Sequence, residues 1–127
     1  MREINFRAWN EVEGFLDTAW SIDFEHRLVC HRAHNQSDLD DCVLMQYTGL
    51  QDKNGREIYE GDITIDGYGT VTVIENDGFQ WLERIVRLRD RHISKEILIM
   101  TKANAFRCEV IGNIYENPEL LEVKENE

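Results

Sequence analysis

The sequence predicts a mostly β protein. Antiparallel strands form an SH3-like small barrel in the C-terminal part, and an N-terminal β-hairpin region is attached to it. Three observations lead there. Apolar residues recur with a period of two in several short stretches, the step that puts alternate side chains on one face of a strand. Asn54-Gly55 and Asp77-Gly78 punctuate those stretches as tight-turn signals. Between them, Thr70 to Ile74 is rich in β-branched residues, which suit a pleated, half-buried surface. The stretch from Gly61 to Phe79, with its order of strand, glycine corner, strand, tight turn and strand, is what gives the barrel reading. The expected division is 1–42 for the hairpin region and 43–127 for the barrel, which carries a short terminal helix.

Each element follows in order. Ile4, Phe6 and Ala8 alternate with Asn5, Arg7 and Trp9, a strand with an aromatic residue on each face. A turn at 11–14 leads to Trp20, Ile22 and Phe24, a second strand folding back on the first. A short third strand is expected at 27–31. Residues 35–41 bring Asn, Gln, Ser and three aspartates, the composition of a polar loop. Val43, Met45 and Tyr47 resume the alternation, and Ile63 and Ile65 carry the next strand. A type I′ turn is expected at Asn54-Gly55. The stretch 79–101 fits two patterns. Leu82, Ile85 and Leu88 suit a helical stripe, whereas Ile85-Val86 and 97–99 suit strands with a charged loop between, and a long hairpin is the reading adopted. Cys108 to Ile114 is a further β run. Asn117-Pro118-Glu119 has the order of an N-cap, an N1 proline and a first-turn acid.

Charge narrows the function classes. The chain has 127 residues and a formal net charge of −11. Residues 1–83 carry 17 acids and 6 bases, whereas 84–95 hold Arg84, Arg87, Arg89, Arg91 and Lys95 against Asp90 alone. The acidic body argues against nonspecific binding to a phosphate backbone, which needs clustered bases. Most charge runs of this kind solvate or pair with the protein's own acids. The opening residues have no apolar h-region and no apolar run is long enough to span a membrane, so a cytoplasmic protein with no membrane partner is expected. The three cysteines, Cys30, Cys42 and Cys108, are expected to be free thiols.

The residues that could carry chemistry are few. His26, Cys30, His31, His34 and Cys42 fall close together, but no C-x2-C pair occurs and the spacing is not that of a zinc finger. Asp38, Asp40 and Asp41, and Asp62 with Asp66, do not complete an EF-hand loop. No G-x-S-x-G, P-loop, H-E-x-x-H or G-x-G-x-x-G motif is present, and Gly67-Tyr68-Gly69 is better explained as a turn. No metal, cofactor or catalytic residue is therefore expected.

Three stretches, MREINFRAWN, LMQYTGLQDKNGREIYEGDI and EVIGNIYENPELL, resemble the YopX family of small phage and prophage proteins. They fall at both ends and in the middle of the chain. The resemblance implies a phage-derived accessory protein with an SH3-like barrel in its C-terminal part, and it implies no activity. Physically, Gly49, Gly55, Gly61 and Gly112 suit turns or close packing, while Asp52, Asn54 and Asp62 suit backbone-capping roles.

The functional expectation is a non-enzymatic homo-oligomer, most simply a dimer, that binds a host or phage protein. Its candidate interaction surface is Trp81, Arg84, Arg87, Arg89, Arg91 and Lys95. The alternative is a nucleic-acid-directed protein that uses the same basic stretch with Phe79 and Trp81 as stacking rings. A third idea, mimicry of DNA by the −11 charge, has only the acidity behind it.

Overall fold

The structure is a computed structural model, and it describes residues 5–88 and 96–122. The chain divides into two compact units, Met1–Tyr47 and Thr48–Glu127.

The first unit is an antiparallel sheet. It contains β1 (Phe6–Asn10), β2 (Phe15–Asp23), β3 (Leu28–His31), β4 (Gln36–Asp38) and the start of β5 (Cys42–Gln51), in the order β4-β3-β2-β1-β5. The alternation of residues 4–9 produces β1, which pairs Phe6 with Ala19 and Asn10 with Phe15 of β2. Ala8, Val29 and Leu39 form the core, with Ile22 and Leu44 packed against it. One expectation is corrected here. Residues 35–41 are not a loop: Gln36–Asp38 pairs with β3, and Leu39–Asp41 is a 3₁₀ turn whose N-cap is Asp38. The reason is that Ser37 and Leu39 turn inward and are buried. The second strand folds back on the first as expected, with Ile22 against the core and Trp20 and Phe24 exposed. The register shifts between Ala19 and Ser21, and a bulge re-aims the intervening side chain, so Trp20 is exposed.

The second unit holds the rest of β5, then β6 (Glu57–Tyr59), β7 (Asp62–Asp66), β8 (Val71–Asn76), β9 (Trp81–Arg87), β10 (Ile97–Ile99), the one-turn helix α1 (Lys102–Ala105) and β11 (Cys108–Asn113). Its main sheet runs β10-β9-β8-β7-β11. Among the described residues the sheet is antiparallel throughout and does not close into a barrel. One face carries Ile74, Cys108 and Val110, packed with Ile58, Met100, Ala105 and Trp81. The other carries Ile63, Val71, Val73 and Val86, packed with Ile114, Leu120 and Leu121.

The hairpin reading of 79–101 is borne out, since Ile97, Leu98 and Ile99 pair with Arg84, Glu83 and Leu82. Strand pairing satisfies a backbone rich in β-branched residues, which the helical stripe would not favour. The residues between, 89–95, lie outside the described set. Helix α1 has no counterpart in the sequence reading; Thr101 caps it, its Oγ1 accepting from Asn104 N at 3.1 Å.

The turns depart from the type I′ expectation. At Asn54-Gly55 only the glycine has positive φ, +81°. Gly55 N donates to Asp52 O, and Asp52 N donates to Arg56 O. That pattern is a type I turn closed by a left-handed glycine. The Asp52 carboxylate stabilises it by accepting from Asn54 N and Arg56 N, both at 2.9 Å. Asp66 repeats the arrangement, accepting from Tyr68 N and Thr70 N, while Gly69 N donates to Asp66 O. Asp77-Gly78 likewise sits in a four-residue loop, since Asn76 pairs with Trp81. The C-terminal helix is a 3₁₀ turn, Pro118–Leu121. Asn117 occupies its N-cap position, but its Oδ1 accepts from Asn113 N instead of from the turn.

Candidate functional site

The surface singled out from the sequence lies on the β9–β10 hairpin. Trp81 is half-buried against the core around Ile58 and Ile74. Arg84 is ion-paired with Glu75 across the β8–β9 ladder, so one of the bases does meet the protein's own acid. Arg87 Nη1 donates to Glu122 O at 3.3 Å. Arg89, Arg91 and Lys95 lie outside the described residues. On β10, Ile97, Leu98 and Ile99 are 55%, 47% and 57% exposed. Alternation sends Leu98 to one face of the ribbon and the two isoleucines to the other. Within the described residues β10 is a sheet edge.

A second feature occupies the sheet face to which Leu98 belongs. Thr64, Asp66, Thr72, Glu83 and Cys108 share that face by register. Together with Lys53, Tyr68, Leu98, Phe106 and Arg107 they line a cavity of about 500 Å³. Thr64 and Thr72 hydroxyls are 2.6 Å apart. Glu83 is only 6% exposed. Burial, with a smaller push from Asp66, raises its pKa above the ordinary carboxylate value. Cys108 is pushed up to about 11, chiefly by burial and then by Glu83, so it stays a neutral thiol. Its Sγ donates to Ala105 O at 3.2 Å. The sequence reading missed this site. The signal was the period-two placement of Glu83 between Trp81 and Ile85, which sets a charge on a core-facing line.

The histidine- and cysteine-containing stretch is not gathered into a metal site. His26 Nδ1 lies 2.8 Å from Asp23, and His34 Nδ1 lies 2.9 Å from Asp17 while stacking on Phe15. His31 is buried with Nε2 2.7 Å from Ser37 Oγ, and burial lowers its pKa. Asn10 Nδ2 also donates to that Ser37 hydroxyl. Among the described residues no three His, Cys, Asp or Glu side chains converge as a metal-holding group, and all three cysteines are free. Of the aspartates, Asp40 pairs with Arg27 and Asp62 accepts from Tyr59 N at 2.8 Å.

The family-like blocks turn out to hold the fold's fixed points. Thr48 Oγ1 donates to Ile58 O at 2.8 Å and accepts from Leu50 N. Asp52, 1% exposed, joins two parts of the unit by also accepting from Val110 N at 2.9 Å. Gly112 leaves room for Asn117, whose Oδ1 would lie 2.4 Å from an added Cβ. No helix among the described residues is long and apolar enough to cross a membrane. No curated protein matches the chain. Among solved structures the chain is similar to protein EF1440 from Enterococcus faecalis, with 25% identity and a TM-score of 0.71. That match covers 96% of this chain and 100% of the other. The YopX protein family profile matches residues 5–122, which takes in most of the three blocks and everything between them. The chain belongs to the YopX family.

Proposed function

We propose that this protein is a phage or prophage accessory protein of the bacterial cytoplasm that acts as a non-enzymatic, homo-oligomeric protein-binding module. The observation that carries the oligomer is the β10 edge, where apolar side chains stand exposed on both faces of the ribbon. An edge strand of this kind templates pairing with another chain unless it is blocked. A second copy is the natural occupant. In the sequence a basic stretch at 84–95 precedes β10 and the rest of the chain is acidic, so the stretch of one copy is complementary in charge to the body of another, which aids orientation more than affinity. Of the residues singled out from the sequence, Trp81, Arg84 and Arg87 lie on β9, the strand paired with that edge. The strand order β10-β9-β8-β7-β11, with a one-turn helix before the last strand, supports the SH3-like reading of the second unit. The phage origin rests on the family resemblance, and the non-enzymatic reading rests on the lack of a catalytic motif in the sequence.

Light scattering coupled to size exclusion at micromolar concentration, in low and high salt, is the test. A dimer mass is expected, reduced to a monomer by Ile97→Lys with Ile99→Lys. A mass near 15.0 kDa for the unaltered chain under both conditions removes the reading.

A further inference from the structure

We propose that the cavity over the β7–β8–β9 face binds an organic cation on an apolar stem, the chemistry of a lysine or arginine side chain, with Glu83 as the anionic contact at its floor. This goes beyond the oligomer reading and does not depend on it. Glu83 lines the cavity, is more than nine-tenths buried, and receives no hydrogen bond or ion pair from any described residue. A buried, unpaired carboxylate is costly, and a counter-charge offsets that cost.

The described neighbours of Glu83 do not supply one. Asp66 on β7 adds a second negative charge; its Oδ1 is engaged by the Tyr68 and Thr70 amides. Cys108 on β11 is a neutral thiol. Lys53 and Arg107 also line the cavity, but both are exposed, and Lys53 Nζ lies 3.9 Å from Glu109 Oε2. The cavity therefore has a buried acid and exposed bases. Its walls suit the rest of the ligand. Tyr68 and Phe106 line it with rings that are 84% and 58% exposed, and Leu98 adds an apolar side chain. Aromatic faces attract cations, and apolar walls cover the stem. An anionic ligand would meet Asp66 and Glu83, and a neutral one would leave Glu83 uncompensated.

The full-length protein is titrated near neutral pH with agmatine and, separately, with the blocked peptide acetyl-Gly-Arg-Gly-amide, followed by amide chemical shifts. Saturable shifts centred on Tyr68, Thr72, Glu83 and Phe106 are expected. Saturation by agmatine supports a free amine as ligand, and saturation by the peptide alone supports a displayed side chain. Affinity falls as the pH is lowered through the raised Glu83 pKa, because protonation removes the anion. Glu83→Gln weakens binding by at least about tenfold, the usual scale for a charged contact. Its unliganded melting temperature equals or exceeds that of the unaltered chain. Tyr68→Ala, at an exposed ring, weakens binding several-fold without changing the fold. If neither probe saturates at millimolar concentration, or if Glu83→Gln binds as well as the unaltered chain, the proposal is overturned. Should that variant fail to fold, undiminished binding by Tyr68→Ala overturns it in the same way.

Discussion

Asp52 shows how one side chain can organise a unit. Its carboxylate accepts from the amides of Asn54, Arg56 and Val110, all at 2.9 Å. Burial alone would raise its pKa, but these three donors outweigh it and hold the group below the usual carboxylate range. Ionised Asp52 thus contributes stability that is present above the unfolded pKa and lost as the pH falls through the depressed folded value. Asp52→Ala leaves three amides without their acceptor, two in a hydrated loop and one buried. The expected cost is about 3 kcal/mol near neutral pH. Urea unfolding checks it, and the gap between variant and unaltered chain should narrow on acidification. A gap independent of pH would point to packing, not charge, as the source.

At the scale of elements, the turns are where local chemistry is most visible. The sequence Asp-x-x-Gly at Asp52 and again at Asp66 builds the same loop, with the aspartate capping two amides and the glycine closing the hairpin. Glycine is required at Gly55 and at Gly112 for different reasons. At Gly55 nothing lies within 4 Å of an added Cβ, so only the positive φ opposes it. Gly55→Ala is expected to cost about 1 kcal/mol. At Gly112 the opposition is contact: the Asn117 side chain would have to leave, giving up its bond from Asn113 N. Gly112→Ala is expected to cost about 2 kcal/mol, the scale of overpacking. Paired denaturation curves measure the order, which would be reversed if the C-terminal turn yields easily.

At the scale of the whole molecule, charge distribution decides which partners are open to it. The chain carries −11 overall, and of its basic stretch Arg84 is already held by Glu75. A binder of several phosphates needs free cations and loses affinity steeply with salt. No useful affinity for single- or double-stranded oligonucleotides is therefore expected at ~0.15 M salt, where the Debye length is about 8 Å. Fluorescence titration measures this. Micromolar binding that disappears with Arg87→Glu and Arg89→Glu would instead favour the nucleic-acid reading.

What the sequence determined by itself was the local grammar. The alternation of Phe6 and Ala8 with Arg7 and Trp9, the β-branched run before Asn76, the Asp-Gly and Asn-Gly turns and the Asn-Pro-Glu start of the terminal turn each depend on neighbours in the chain, so they are legible there. The family blocks are legible for the same reason, since their glycines and aspartates serve turns. What only the tertiary structure decided was pairing between distant segments. Gln36–Asp38 looks polar and loop-like, yet β3 offers it a ladder and Asn10 and His31 meet its serine. The Asp52 carboxylate reaches Val110, far away in sequence. Glu83 becomes a buried, unpaired acid only because β8, β7 and β11 place Thr72, Thr64 and Cys108 beside it. A side chain's partners across a sheet are set by register, and register is a property of the folded chain.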